Sequence, residues 1–350
     1  MSPMMIGLLA SSLPLVALGL VSPIRWRLPA AVVVVAGAVF AGSQLGILGF
    51  TDLWQLPVGV GMTDTLVLTV LWLIFGVVSR AVGPIAVFGP PWVTAMVMGA
   101  VLGEVPAAAI LSGGAKTPGG AARLALSAAG GGMIGRMGDP AMLMLMEGNP
   151  DAMLAIAPLG VFLAWLMRPA AEDLVKPAEA SRLRLGLLIG VALIAAIPGL
   201  TAFAIIAGIL GLGLMAQARR CPLDLAGPAW QLVAAIGALI AVVGGTPELA
   251  AQGLELVIEL LDWWAPPLLV LASALLTAIT DATAMSLVMT AIVDRAMSLD
   301  QALVVAPLAV GVSVGGLAPL VAAGALRAGF KLWLLQVAVA LIWACIWAWC

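Results

Sequence analysis

Three carboxylates, Glu104, Asp139 and Asp281, stand inside apolar stretches of the chain. A lone acid at bilayer depth costs at least about 2.5 kcal/mol on insertion scales, so each is a candidate ion or proton site. Burial raises a carboxyl's pKa and an approaching cation lowers it, so one group can exchange a proton for a cation at physiological pH. Histidine and tyrosine are both absent, which leaves proton chemistry to the carboxylates.

Asp281 lies at the middle of 265–294, APPLLVLASALLTAITDATAMSLVMTAIVD, between Thr280 and Thr283. Each half of that stretch makes roughly 18 Å of helix, too short to cross a hydrocarbon core of about 30 Å but long enough to reach its middle. The pattern predicts a re-entrant hairpin with residues 280–283 at its tip. A second copy runs over 90–116, opening on Pro90-Pro91 and carrying Glu104 near its centre. Gly103, Glu104, Val105 and Pro106 then correspond to Thr280, Asp281, Ala282 and Thr283. Two interrupted segments at matching places in two halves of a membrane chain point to a transporter's binding site. The plain alternative for either acid is a helix-end or protonated carboxyl with no part in transport.

A Gly-rich stretch follows the first hairpin: AAGGGMIGRMGDPAMLML over 128–145. Gly131, Gly132 and the Gly138-Asp139-Pro140 run predict a helix broken at bilayer depth, because glycine costs conformational entropy and proline interrupts the ladder. Freed carbonyls and opposed helix ends there could hold an ion, provided they line a cavity. Arg136, three residues before Asp139, is expected to pair with it, either as a structural clamp or as part of the site. In the second half Gly315-Gly316 answers Gly131-Gly132, with Ser313 nearby and no acid.

The elements that must position these groups are membrane helices. Of 350 residues 63% are apolar and 9% charged, with mean hydropathy +1.20, values that predict an integral membrane protein. The 40 glycines and 23 prolines suit close-packed, broken membrane helices. No long polar stretch leaves room for a catalytic or receptor domain outside the bilayer, so no enzyme activity is expected. Cys221, Cys345 and Cys350 have no C-x-x-C spacing, which indicates neither a metal site nor a disulfide framework. The N-terminal apolar run leads into Arg25 and Arg27 and is read as a retained first helix.

Apolar spans are expected at 4–21, 28–48, 64–82, the hairpin 90–116, a broken helix 121–146, and 152–167. A charged linker covers 169–184. The second half repeats the order at 185–198, 200–216, 228–243, the hairpin 265–294, a broken helix 301–326, and 332–349. The division is therefore a first repeat over 1–168, the linker, and a second repeat over 185–350. With the N-terminus outside, all but two of the 15 basic residues, Arg136 and Arg295, fall on the cytoplasmic side, as does the linker. That topology brings the two hairpins in from opposite faces and makes the halves inverted repeats. Residues 248–262 carry acids opposite apolar residues and read as an interfacial helix, with Trp263 and Trp264 at headgroup level.

Two soluble-protein motifs are set aside. Gly130-x-Gly132-x-x-Gly135 matches a dinucleotide fingerprint but follows no strand, and SGGAKT at 112–117 has Ala115 where a phosphate loop needs glycine. A Ser112/Lys116 nucleophile pair is less economical than a lysine marking the cytoplasmic edge.

The sequence resembles the ion transporter superfamily that includes arsenite efflux pumps, one class of sodium/proton antiporters, and dicarboxylate and citrate carriers. Gly131, Gly132, Gly138, Asp139 and Pro140 match that family's Gly-Gly and Gly-Asp-Pro pattern after the first hairpin. Glu104-Val105-Pro106 and Asp281-Ala282-Thr283 look like its hairpin tips. The resemblance runs through the repeat order over nearly the whole chain, while its specific motifs cover some fifty residues. Where the family has asparagines at the tips, this chain has Val105 and Ala282. The Gly-rich span has Ala129 for asparagine and Gly135 for threonine, and Ser313 stands alone at the second asparagine position. Loss of those amides weakens carboxylate or oxyanion binding, and the retained acids favour a cation or proton.

The resemblance implies a secondary transporter of a bacterial inner membrane and a homodimer. The expected activity is monovalent cation (sodium)/proton antiport, with no cofactor and with sodium or a proton as coupling ion. Glu104, Asp281 and Asp139 would bind the ion, helped by Thr280, Thr283, Gly103, Ser313 and the Gly131-Gly132 and Gly315-Gly316 breaks. The alternative is ion-coupled transport of a small anion or organic acid, held by Arg136 and the hydroxyls of Thr280, Thr283 and Ser313. The expected partners are the lipid bilayer and a small ion; no nucleic acid is implied.

Overall fold

The computed structural model describes residues 90–135, 138–139, 141–142, 150–174, 254–256, 258–279, 282–293 and 301–349. The expected spans 4–21, 28–48, 64–82, 185–198, 200–216 and 228–243 lie outside the described residues, as do Arg136, Pro140, Thr280, Asp281, Arg295 and most of the linker.

The described chain is helical, with no strand among the described residues beyond an isolated bridge between Ala115 and Leu174. In order, the helices are α1 (Pro91–Leu102), α2 (Glu104–Ser112), α3 (Pro118–Gly132), α4 (Pro150–Leu166), α5 (Ala265–Ile279), α6 (Ala282–Val293), α7 (Gln301–Gly315), α8 (Ala318–Ala322) and α9 (Leu326–Trp347). Residues 254–256 and 258–261 are also helical and lead through a 3-10 turn, Asp262–Trp264, into α5.

Two sets of described helices pack in similar ways. In the first, α1 and α2 pack on α3; in the second, α5 and α6 pack on α7. Small residues set both contacts. A Cβ on Gly131 would stand 2.6 Å from the Met96 carbonyl carbon, and one on Gly315 would stand 2.5 Å from the Ala274 carbonyl oxygen. Backbones that approach this closely leave no space for a side chain, which is how glycine serves helix packing in membranes. Gly130 and Gly160 seal the α3–α4 crossing in the same way, beside a hydrogen bond from Ser127 Oγ to the Ala164 carbonyl at 3.0 Å.

This packing corrects the expected location of one break. Gly130, Gly131 and Gly132 are helical, and α3 stops only after them. Their lack of side chains is used for contact with α1 and α4, and that contact outweighs the intrinsic cost of glycine in a helix. The helix also begins at Pro118 rather than near 121. Thr117 caps it by accepting from the Gly120 amide at 3.0 Å, with proline at the first helical position.

Among the described residues, two stretches are long and apolar enough to cross a membrane. Val304–Ala322 takes in α7 and α8, with 83% of its window buried; Leu326–Trp347 is α9, with 33% buried. The first is thus central and the second peripheral. α9 starts six residues before the expected 332, so Arg327 and Lys331 lie in its first turns. Its 22 residues extend about 33 Å, close to a hydrocarbon thickness.

The ends of α9 differ in chemistry. Gly329 packs against Ala122 and Leu320, which brings Arg327 and Lys331 level with Arg123 of α3. Arg123 in turn reaches Arg168, just beyond α4. At the other end Trp349 meets Trp263 edge-on with ring centroids 6.4 Å apart, and Trp263 contacts Trp264 at 4.2 Å. One end of the bundle is basic and the other aromatic.

Candidate functional site

Each half contains an interrupted pair of helices. Between α1 and α2 the interruption is Gly103 alone, at φ 92° and ψ 152°. Only glycine adopts that backbone without strain. The expected four-residue tip is therefore one residue, and Glu104 already opens α2, with Pro106 in its first turn. In the second half α5 ends at Ile279 and α6 begins at Ala282; Thr280 and Asp281 between them lie outside the described residues. The side chain of Thr283 lies outside them as well.

The broken ends are tied together around Glu104. Its amide donates to the Gly138 carbonyl at 3.0 Å, so the start of α2 is clipped to the chain that follows α3. A Cβ on Gly132 would sit 3.1 Å from the Gly138 oxygen and 3.5 Å from Glu104 Cβ. The side chain then crosses to the second half. Oε1 of Glu104 lies 3.4 Å from where Gly316 would carry a Cβ, and Ala282 Cβ lies 3.8 Å from the same point. Gly316 is the break between α7 and α8, and Ala282 is the first residue of α6. One buried carboxylate thus stands at the Gly103 interruption, in contact range of the break between α7 and α8.

Among the expected site residues, Gly103, Glu104, Gly132 and Gly316 converge there, and Ser313 contributes a backbone carbonyl 3.8 Å from the same Gly316 point. Gly131 and Gly315 do not face it; they are used for backbone contact with Met96 and Ala274. Asp139 is buried beside Gly138 and accepts from the Ala141 amide through Oδ1 at 2.7 Å. That is the geometry of an N-cap for the helical turn described at 141–142. The bond is a local structural role for a residue expected as an ion ligand or as Arg136's partner.

Two buried hydroxyls lie in α5 and α7. Ser313 Oγ and Thr277 Oγ1 are buried and have no hydrogen-bond partner among the described residues. Thr277, one turn beyond the Ala274 that Gly315 packs against, was not singled out by sequence. Its neighbours explain why. Ser273 and Ser286 bond to carbonyls one turn back in their own helices, the ordinary fate of a helical hydroxyl, and sequence does not distinguish the exception. Buried polar atoms of this kind call for a partner.

The arrangement supplies a buried carboxylate and carbonyl oxygens at interrupted helices. These are hard oxygen donors suited to a proton or a small cation. No protein-family model matches the chain, and no curated protein matches it.

Proposed function

We propose that this chain is an integral membrane secondary transporter built from two inverted repeats with re-entrant hairpins, and that it exchanges a monovalent cation for protons. The reading extends to a bacterial inner membrane, with the N-terminus outside, the linker cytoplasmic, and a homodimer as the assembly. The observation that carries it is the position of Glu104, buried at the Gly103 interruption and in contact range of Gly316 at the break between α7 and α8. A carboxylate in such a place can hold a proton or a cation, and motion between the halves would change which side of the membrane it faces.

Glu104 also bears on the choice between cation and anion. It occupies the first turn of α2, where the helix dipole would otherwise attract an anionic substrate. A fixed negative charge there favours a cation. Asp281, two residues after the end of α5 in sequence, is the proposed second carboxylate, with Thr280 beside it.

The test is proton movement in proteoliposomes loaded with a pH-sensitive dye, on addition of sodium, lithium, potassium and then small anions. Cation-triggered proton movement that disappears in Glu104→Gln and Asp281→Asn is the expected result. Silence with every cation combined with a response to a dicarboxylate or oxyanion would replace this reading with ion-coupled anion transport. Transport that persists in both variants would remove the carboxylates from the mechanism.

A further inference from the structure

A second candidate site lies at the basic end of the bundle. The Arg168 guanidinium stands 4.5 Å from the centroid of the Trp165 ring, and Arg123 Nη1 donates to the Arg168 carbonyl at 3.4 Å. The Arg123 guanidinium is thereby placed against the backbone of the residue whose own guanidinium lies over Trp165. Among the described residues neither is paired with a carboxylate; the nearest acid in sequence with a described bond, Asp173, accepts from Thr117 Oγ1 at 3.0 Å.

Below Arg168 runs an apolar track. Leu154, Pro158, Val161, Phe162 and Trp165 are all exposed and fall on one face of α4, and Phe162 touches Trp165 with centroids 5.9 Å apart. From Leu154 to Trp165 the track extends about 16 Å, half of a hydrocarbon core of about 30 Å. That is the depth filled by the acyl chain of one leaflet.

We infer that Arg123, Arg168 and the exposed face of α4 bind an anionic glycerophospholipid of the cytoplasmic leaflet. Its phosphate meets the two guanidiniums, which match phosphate geometry and are less strongly hydrated than an ammonium. Its acyl chain lies along Trp165, Phe162, Val161 and Leu154. Stacking on Trp165 holds Arg168 over the track and keeps its charge at headgroup level. The inference rests on the membrane embedding proposed above and not on transport.

Native mass spectrometry of the full chain in detergent, with phosphatidylglycerol and phosphatidylcholine of the same acyl length, tests it. The native chain is expected to retain phosphatidylglycerol preferentially, and Arg123→Gln and Arg168→Gln each to reduce that preference about fivefold. Arg327→Gln with Lys331→Gln removes the same charge at the same end and is expected to leave the preference in place. Trp165→Leu keeps the track apolar and serves if loss of an arginine unsettles the fold; a reduction of about two- to fivefold is expected. Equal retention of the two lipids, survival of the preference in the doubly substituted Arg123 and Arg168 chain, or its loss in the Arg327 and Lys331 control would overturn the site. Equally strong competition by free glycerol phosphate would overturn the lipid assignment, and a stable dimer that excludes lipid from α4 would assign the face to a second copy. Release of the chain from membranes by alkaline carbonate would overturn the embedding itself; retention without lipid preference overturns this inference alone.

Discussion

Glu104 Oε1 and Gly316 stand so close that a Cβ on the glycine would lie 3.4 Å from the carboxylate oxygen. At 3.4 Å a methyl group makes ordinary contact with oxygen, so Gly316→Ala is expected to fold with a stability change under about 1 kcal/mol. The methyl would occupy space beside the carboxylate that a bound cation needs. The apparent cation affinity is therefore expected to fall about tenfold, equivalent to about 1.4 kcal/mol. Titrating the cation in the proteoliposome assay, alongside a melting curve in detergent, separates the two effects. An unchanged cation dependence would argue that the ion binds elsewhere.

The sequence made Glu104 legible because one acid in an apolar run has few explanations, and matching it to a second interrupted segment narrowed them further. The fate of the glycines was less legible. Composition predicts that Gly130 to Gly132 break a helix, whereas contact with Met96, Gly160 and Ala164 decides that they continue it. Asp139 was half legible. An Asp before a Pro is an ordinary start signal for a helix, but a glycine-rich apolar span equally suggests a clamp for Arg136 or an ion ligand, and sequence does not decide among them. Thr277 carried no signal, because its hydroxyl differs from that of Ser273 only in lacking a bond within the described structure.

Asp139 separates structural from ionic roles by substitution. Asn keeps a side-chain oxygen able to accept from the Ala141 amide, whereas Ala does not. If the cap is the main role, Asp139→Asn retains both stability and transport, and Asp139→Ala loses about 1 kcal/mol. Thermal unfolding in detergent reads the first quantity and dye recovery the second. Loss of transport in Asp139→Asn at unchanged stability would return this residue to the ion site.

The glycine contacts predict a contrast along one helix. Gly131→Ala would drive a methyl into the Met96 backbone, which cannot move without shifting α1. Overpacking of this kind typically costs about 1–3 kcal/mol. Gly119→Ala, whose Cβ would meet only Thr117 Oγ1 at 3.8 Å, is expected to be neutral or slightly stabilising. Parallel melting curves of the two variants decide it, and equal melting temperatures would contradict the packing described for α1 and α3.

Gly103 and its φ of 92° predict a backbone penalty independent of packing. Gly103→Ala is expected to cost of order 1–3 kcal/mol, since an L side chain is strained in that conformation. The residue joins α1 to Glu104, so relief of the strain would turn the carboxylate away from Gly316. A loss of coupled transport larger than the loss of folded protein is the expected pattern; a chain that folds and transports normally would mean that the junction tolerates a different backbone.

Helix α9 ties the two halves together through polar side chains one turn apart. Trp333 Nε1 donates to the Val314 carbonyl at 2.9 Å, and Gln336 Nε2 donates to the Leu126 carbonyl at 3.0 Å. Val314 is in the last turn of α7, where carbonyls run out of helical partners, whereas Leu126 lies inside α3 and keeps a residue four positions ahead within the same helix. Trp333→Phe is therefore expected to cost about 1–3 kcal/mol and Gln336→Leu about 1 kcal/mol. If each bond holds a different broken helix, the two losses add in the double variant to within about 0.5 kcal/mol. Unfolding of the four chains in a double-mutant cycle measures that sum, and a large coupling energy would mean instead that α3 and α7 move on α9 as one body.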